Sequence, residues 1–179
     1  FYTMTDGTNY DLANDTWVEV TGVVTGNSFD GLFIQDTNGV GFFLYRPVGD
    51  GDRVIGEEVT YVGKIDDYNG ARQLSYGALL VEAGTTGNDL TVTPVTAEEI
   101  DAFDMADAGT LYSFDGFTFD SIDGSHMILG YTLADTSTGT VTVRYYSNWE
   151  ALSYVANNLT TGDALPEIEF IVYNSRDGE

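Results

Sequence analysis

Cysteine is absent from this chain, and lysine, histidine and proline nearly are: Lys64 is the one lysine, His126 the one histidine, and there are three prolines. Without cysteine there is no disulfide, no zinc–thiolate centre and no thiol nucleophile. His126 has no second imidazole with which to share a metal, and the adjacent Ser125 cannot form a triad with it, because neighbours in the chain point apart. It reads as an exposed turn residue. No run approaches the roughly 18 apolar residues of a membrane span, and no charged-then-apolar signal opens the chain. No membrane insertion is expected. Phosphate-binding loops, dinucleotide glycine fingerprints and nucleophile elbows are also missing. No catalytic residue is therefore assigned. Beginning at Phe1, the chain reads as part of a longer polypeptide, with room for a signal or lipid anchor before it.

Positive charge is the other scarcity. Six basic residues face 29 acidic ones, a net charge of −23. Such a surface repels phosphate backbones, whose non-specific binding depends on Lys and Arg displacing counterions. It suits a salty or calcium-containing external medium that screens self-repulsion. The acids are scattered: Asp50/Asp52, Asp66/Asp67 and Asp115/Asp120/Asp123 do not fit a calcium loop with its distal glutamate. No metal site and no cofactor are expected beyond weakly bound calcium.

What the chain does contain is the material of short strands. Hydrophobic residues make up 42% and aromatics 13%, with 21 glycines and recurrent Val and Thr, which excludes a disordered chain and predicts an all-β fold. A polar lead with Tyr10 and Leu12 as anchors precedes a period-two strand carrying Trp17, Val18, Val20, Val23 and Val24, where Gly22 predicts a bulge. Strands follow at 32–36, 40–48, 57–67 and 71–82, separated by turns at Asn27-Ser28-Phe29-Asp30-Gly31, Thr37-Asn38-Gly39, Gly49-Asp50-Gly51-Asp52 and Tyr68-Asn69-Gly70. A meander followed by a returning hairpin is the pattern of the five-stranded OB barrel. Between strands three and four only 53–56 is available for a helix.

Thr96-Ala-Glu-Glu99 predicts a capping box and a linker helix with Ile100 and Phe103 on its apolar side, ending near Gly109. The pattern then restarts: a strand at 111–122 containing Gly116, strands at 127–134 and 140–147, and helical spacing of Trp149, Leu152, Val155, Ala156 and Leu159. A strand at 167–173 ends in a turn at Ser175-Arg176-Asp177-Gly178. The expected fold is thus a tandem of OB-like five-stranded barrels, the second with a helix between strands three and four and without its last strand. The expected domains are a first barrel over 1–95, a linker helix over 96–108 and a truncated second barrel over 109–179. An open edge there calls for the continuing polypeptide, the first barrel or another molecule to cover it.

The segments Trp17-Val-Glu-Val-Thr-Gly-Val-Val-Thr-Gly, Leu32-Phe-Ile-Gln-Asp, Gly-Val-Gly-Phe-Phe-Leu-Tyr, Glu58-Val-Thr-Tyr-Val-Gly-Lys-Ile and Tyr68-Asn-Gly-Ala-Arg-Gln-Leu resemble the OB-fold modules of YhcR-type secreted bacterial nucleases. Similar modules precede endonuclease/exonuclease/phosphatase domains. The resemblance covers about 12–95 and becomes architectural beyond Gly109. It implies a secreted, extracellular or cell-surface accessory module beside a nuclease-like domain of the same polypeptide, binding single-stranded nucleic acid or a nucleotide.

OB barrels bind ligands on the face of strands two and three. Alternation directs Leu32, Ile34, Phe42 and Leu44 inward and Phe33, Gln35, Phe43 and Tyr45 outward, with Arg46, Tyr68, Asn69 and Arg72 on the rim. These eight form the candidate ligand-binding set. The competing reading packs Phe33, Phe43 and Tyr45 under the linker or the second barrel and gives Arg72 to an acid. Tyr131, Arg144, Tyr145 and Tyr146, with Trp149 nearby, form a similar set in the second half, where a core role is the stronger expectation. The function class from outside nucleic-acid binding is a structural or interaction module that packs on its parent protein or a cell-surface polymer.

Overall fold

The structure, a computed structural model, describes residues 2–4, 12–28, 30–68, 70–104, 107–124, 126–144 and 157–173. Strand dominates, in several sheets, so the all-β expectation holds. The chain divides into two compact units: unit 1 holds residues 1–93, 104–112 and 171–178, and unit 2 holds 94–103, 113–170 and 179.

Unit 1 contains β1 (Tyr2–Met4), β2 (Trp17–Ser28), β3 (Gly31–Gln35), β4 (Gly41–Tyr45), β5 (Glu58–Tyr68), β6 (Ala71–Leu74) and β7 (Leu79–Ala83). Its strands run in the order β1-β2-β3-β4-β6-β5-β7, and β5 pairs back onto β2, closing five of them into a ring. All neighbours in the ring are antiparallel except β4 and β6, which are parallel. Period-two alternation sends Val18, Val20 and Val24 of β2, Leu32 and Ile34 of β3, Phe42 and Leu44 of β4, Val59, Tyr61 and Ile65 of β5 and Leu74 of β6 into one core. Burying each large side chain contributes roughly 1.5–3 kcal/mol.

Several expectations need correction here. β2 runs through Gly22 unbroken and shifts register between Val24 and Gly26 instead. Gly22 serves a close approach: a Cβ there would lie 2.5 Å from the Gln35 carbonyl oxygen. The lead contains a strand, β1, parallel to β2. Leu12 packs against the core as expected, whereas Tyr10 lies outside the described residues. The third strand stops at Tyr45, because Arg46 turns the chain with φ of 41°. The fifth, expected over 71–82, is two strands: β6 pairs with 65–68 of β5, the chain turns through Tyr76 and Gly77, and β7 pairs with 59–62. Residues 53–56, which have room for a single turn of helix at most, form none.

Further along lie β8 (Thr93–Pro94), α1 (Ala97–Asp101), β9 (Leu111–Phe114), β10 (Thr118–Asp123), β11 (His126–Thr132), β12 (Thr138–Arg144) and β13 (Ile168–Ile171). β10, β11 and β12 form an antiparallel meander, and β13, β9 and β8 a separate sheet in that order. The strand expected over 111–122 is therefore split at Asp115–Phe117 into β9 and β10, which lie in different sheets. The helix α1 is shorter than the expected linker, and Ala97 and Ile100 are built into the core of unit 2 beside Phe117, Phe119, Met127, Leu129 and Tyr131. His126 opens β11, half-buried and paired in register with Asp123 and Arg144; it is not an exposed turn residue. Of the helix expected around Trp149, residues 149–156 lie outside the described residues, as do Tyr145, Tyr146, Ser125, Phe29 and the 175–178 turn.

Candidate functional site

Of the eight residues expected to bind ligand, the seven that are described do not form one surface. Phe33 and Phe43 are directly opposed across β3 and β4, with ring centroids 4.8 Å apart. They do face away from the barrel core, as alternation requires. Yet each is only 6% exposed, because Tyr173 stands edge-on to both rings at 5.4 and 5.3 Å. All three belong to unit 1, so the cover comes from a C-terminal segment that the competing reading counts with the second barrel.

Gln35 is 2% exposed and serves as a clamp, its Nε2 donating to the Gly39 carbonyl at 3.0 Å and the Thr91 carbonyl at 2.8 Å. Arg72 donates to Asn14 Oδ1 at 2.9 Å and to the Leu12 carbonyl, which ties the lead to the hairpin. No acid takes it. Tyr68 is exposed at the end of β5, and Asn69 lies outside the described residues. Tyr45 and Arg46 remain at the surface. In unit 2, Tyr131 is buried and donates to Asp101 Oδ1 at 2.9 Å, a core role. Burial and the Asp101 carboxylate both push its phenol pKa up.

A different row of side chains does come together on the outside of the barrel. Trp17 pairs with Lys64 across β2 and β5. Ser75 lies on the other side of Lys64, its N–H donating to the Lys64 carbonyl at 2.9 Å. Leu44 pairs with Leu74 in parallel, so Tyr45 falls next to Ser75. Each member of this row directly adjoins a core residue in the chain, Val18, Ile65, Leu74 and Leu44 respectively. Alternation therefore turns the whole row outward. Tyr76 joins it, 72% exposed, with its ring 6.2 Å from that of Tyr45. Trp17 is 50% exposed, with Lys64 Nζ 5.9 Å from its ring centroid, and Arg46 lies 5.5 Å from the Tyr45 ring, both within cation–π range.

Lys64 in the row and Arg46 beside it are both matched. Arg46 donates through Nε and Nη2 to Asp30 Oδ1 at 3.0 and 2.6 Å, and that bond is the chief cause of its raised pKa. Lys64 Nζ lies 3.1 Å from Asp15. The row thus has aromatic rings towards its two ends, with one balanced ion pair within it at Lys64 and another at Arg46 beside Tyr45. Sequence reading missed Trp17 and Tyr76 because the row depends on register across four strands; their only local signal is a large aromatic near a core position.

The two buried carboxylates among the described residues of unit 1 are engaged in loop structure. Asp36 Oδ1 accepts from the N–H groups of Asn38 and Val40, both at 2.9 Å, which fixes the expected 37–39 hairpin turn. Glu57 Oε1 meets Arg53 at 2.6 Å and its Oε2 accepts from Val54 N–H at 3.1 Å. Among the described residues no three His, Asp or Glu side chains are grouped to hold a metal ion, and no helix is long and apolar enough to cross a membrane. Compared with known proteins, the chain matches no family model, no curated sequence and no solved structure.

Proposed function

We propose that this chain is a non-catalytic binding module whose unit 1 is an OB-type barrel. In support stands the ring order: numbering its five strands along the chain, they neighbour as 1-2-3-5-4, with the third and fifth parallel and the fourth returning to the first. For unit 2 the same reading rests on the β10–β11–β12 meander alone. The observation that carries the binding role is the outward row of Trp17, Lys64, Ser75 and Tyr45 with Tyr76, since part-exposed aromatics at both ends of one register across the sheet mark a surface built for contact. The accessory role, outside the cell and beside a nuclease-like domain of a bacterial protein, belongs to this proposal on the strength of the sequence resemblance.

Oligonucleotide binding at the face of strands two and three is the weaker form of the reading. Its two phenylalanines lie under Tyr173 and its Arg72 is bonded to the lead. The net charge of −23 opposes a phosphate backbone as well. The purified chain is expected to bind one polymer class saturably and to turn over none. Incubation with single- and double-stranded DNA, RNA, phosphomonoesters and glycans, followed by product analysis, tests this: turnover of any of them at a rate proportional to protein overturns the non-catalytic reading.

A further inference from the structure

Building on the binding-module reading, we propose that the row Trp17–Lys64–Ser75–Tyr45, extended by Tyr76, is a platform for a neutral linear polysaccharide. Three features of the row select that partner. The first is where its hydrogen-bonding capacity lies. Backbone at the row is engaged in sheet pairing: β2 with β5, and the Ser75 N–H with the Lys64 carbonyl. An added peptide strand would need an unpaired sheet edge. A ligand here meets side-chain faces, and flat aromatic faces suit the C–H surface of a sugar ring.

The second is charge. A polyanion gains affinity by releasing counterions to unpaired cations. Here Arg46 is bonded to Asp30 at 2.6 Å and Lys64 to Asp15 at 3.1 Å, inside a chain of net charge −23. Oligonucleotides and sulfated or uronic glycans therefore meet net repulsion. A neutral polymer incurs none, and its hydroxyls can both donate to the carboxylates and accept from the guanidinium and ammonium groups.

The third is shape. Members of the row sit on neighbouring strands spaced about 4.8 Å apart, so Tyr45 and Trp17 are separated by roughly 14 Å along the hydrogen-bonding direction. That is a track crossing four strands of the ring and following its curve, with aromatic rings towards its two ends and short or polar side chains between. It suits a short stretch of an extended chain better than a single compact small molecule. Tyr76, in the turn between β6 and β7, supplies the most exposed ring.

Affinity electrophoresis of the full chain in native gels tests this, with laminarin, hydroxyethylcellulose, galactomannan and dextran as neutral probes. Heparin and oligo-dT serve as polyanionic probes. The chain is expected to be retarded by at least one neutral polysaccharide at low salt and at high salt alike. Trp17→Ala and Tyr76→Ala should each weaken that retardation by about tenfold, with circular dichroism unchanged because both side chains project into solvent. Trp17→Tyr, which keeps a stacking face, should restore most of it. Retardation by a neutral polysaccharide that both alanine variants retain in full overturns the platform. Salt-sensitive binding of oligo-dT or heparin without neutral binding overturns the ligand class and leaves the binding-module reading standing. No retardation by any probe overturns both.

Discussion

Tyr61 is wholly buried in the unit 1 core, and its phenol oxygen finds no hydrogen-bond partner among the described residues. Burial pushes its pKa up to about 12, with the Asp50 and Glu57 carboxylates adding to the shift and Arg53 opposing it. Between pH 10 and 12 the unfolded chain releases this proton while the folded chain keeps it. Stability present below pH 10 is thus lost as pH rises through 12, by on the order of 2–3 kcal/mol. Tyr61→Phe removes the unpartnered hydroxyl. It is expected to raise the unfolding free energy at pH 7 by up to about 1 kcal/mol, read as a higher urea midpoint, and to flatten the alkaline loss. Parallel pH profiles for the two proteins between pH 9 and 12 would refute this origin of the pKa shift. Alternation identifies Tyr61 as inward-facing from the sequence, but whether a hydroxyl meets a partner depends on residues brought from loops. Phe33 and Phe43 teach the same lesson from the other side. Their outward direction was legible as period two, while their burial came from Tyr173, 130 positions or more along the chain.

At the scale of elements, α1 shows local grammar and tertiary use diverging. The capping box is present: Thr96 Oγ1 accepts from Glu99 N–H at 3.3 Å, and Glu99 Oε2 accepts from Thr96 N–H at 2.7 Å. Five residues cannot hold a helix in water by themselves. What holds this one is burial of Ala97 and Ile100, with Glu98 accepting from Ala134 N–H at 2.7 Å and Asp101 from Tyr131. The Ala134 N–H is also the chief reason the Glu98 pKa is depressed. Thr96→Ala is expected to cost about 1 kcal/mol, read as a fall in the chemical-denaturation midpoint with native circular dichroism retained. A loss below a few tenths would mean that core packing alone fixes the helix. Existence of the helix and its cap were readable because both are encoded within four residues. Its service as core, and not as linker, was not, because the partners come from β10 and β11. The break between β6 and β7 escaped reading for a related reason: the 71–82 run is continuously strand-compatible, and only pairing with two halves of one long strand forces the turn.

At the scale of the whole molecule, the two units draw on separated stretches of chain. The first barrel expected over 1–95 contains the complete strand ring but not Tyr173 or residues 104–112, which also belong to unit 1. Gly41 shows how close that later segment comes: its N–H donates to Thr110 Oγ1 at 3.0 Å, and a Cβ on it would lie 1.9 Å from the Gly109 carbonyl carbon. A fragment of residues 1–95 is therefore expected to expose Phe33 and Phe43. It should bind the dye ANS more strongly and melt lower than the full chain. Equal dye binding and melting temperature would show that the later segments add nothing to unit 1.

Composition and periodicity determined the all-β class, the inward positions of the first barrel, the 37–39 turn and the α1 cap, because each is a matter of residues within a strand's or a turn's length. Three things were decided only in the tertiary structure: the covering of Phe33 and Phe43, the division of the chain between units, and the alignment of Trp17, Lys64, Ser75 and Tyr45. They rest on register between strands and on contacts with residues far along the chain, and a one-residue slip in register would turn every side chain of a strand to the other face.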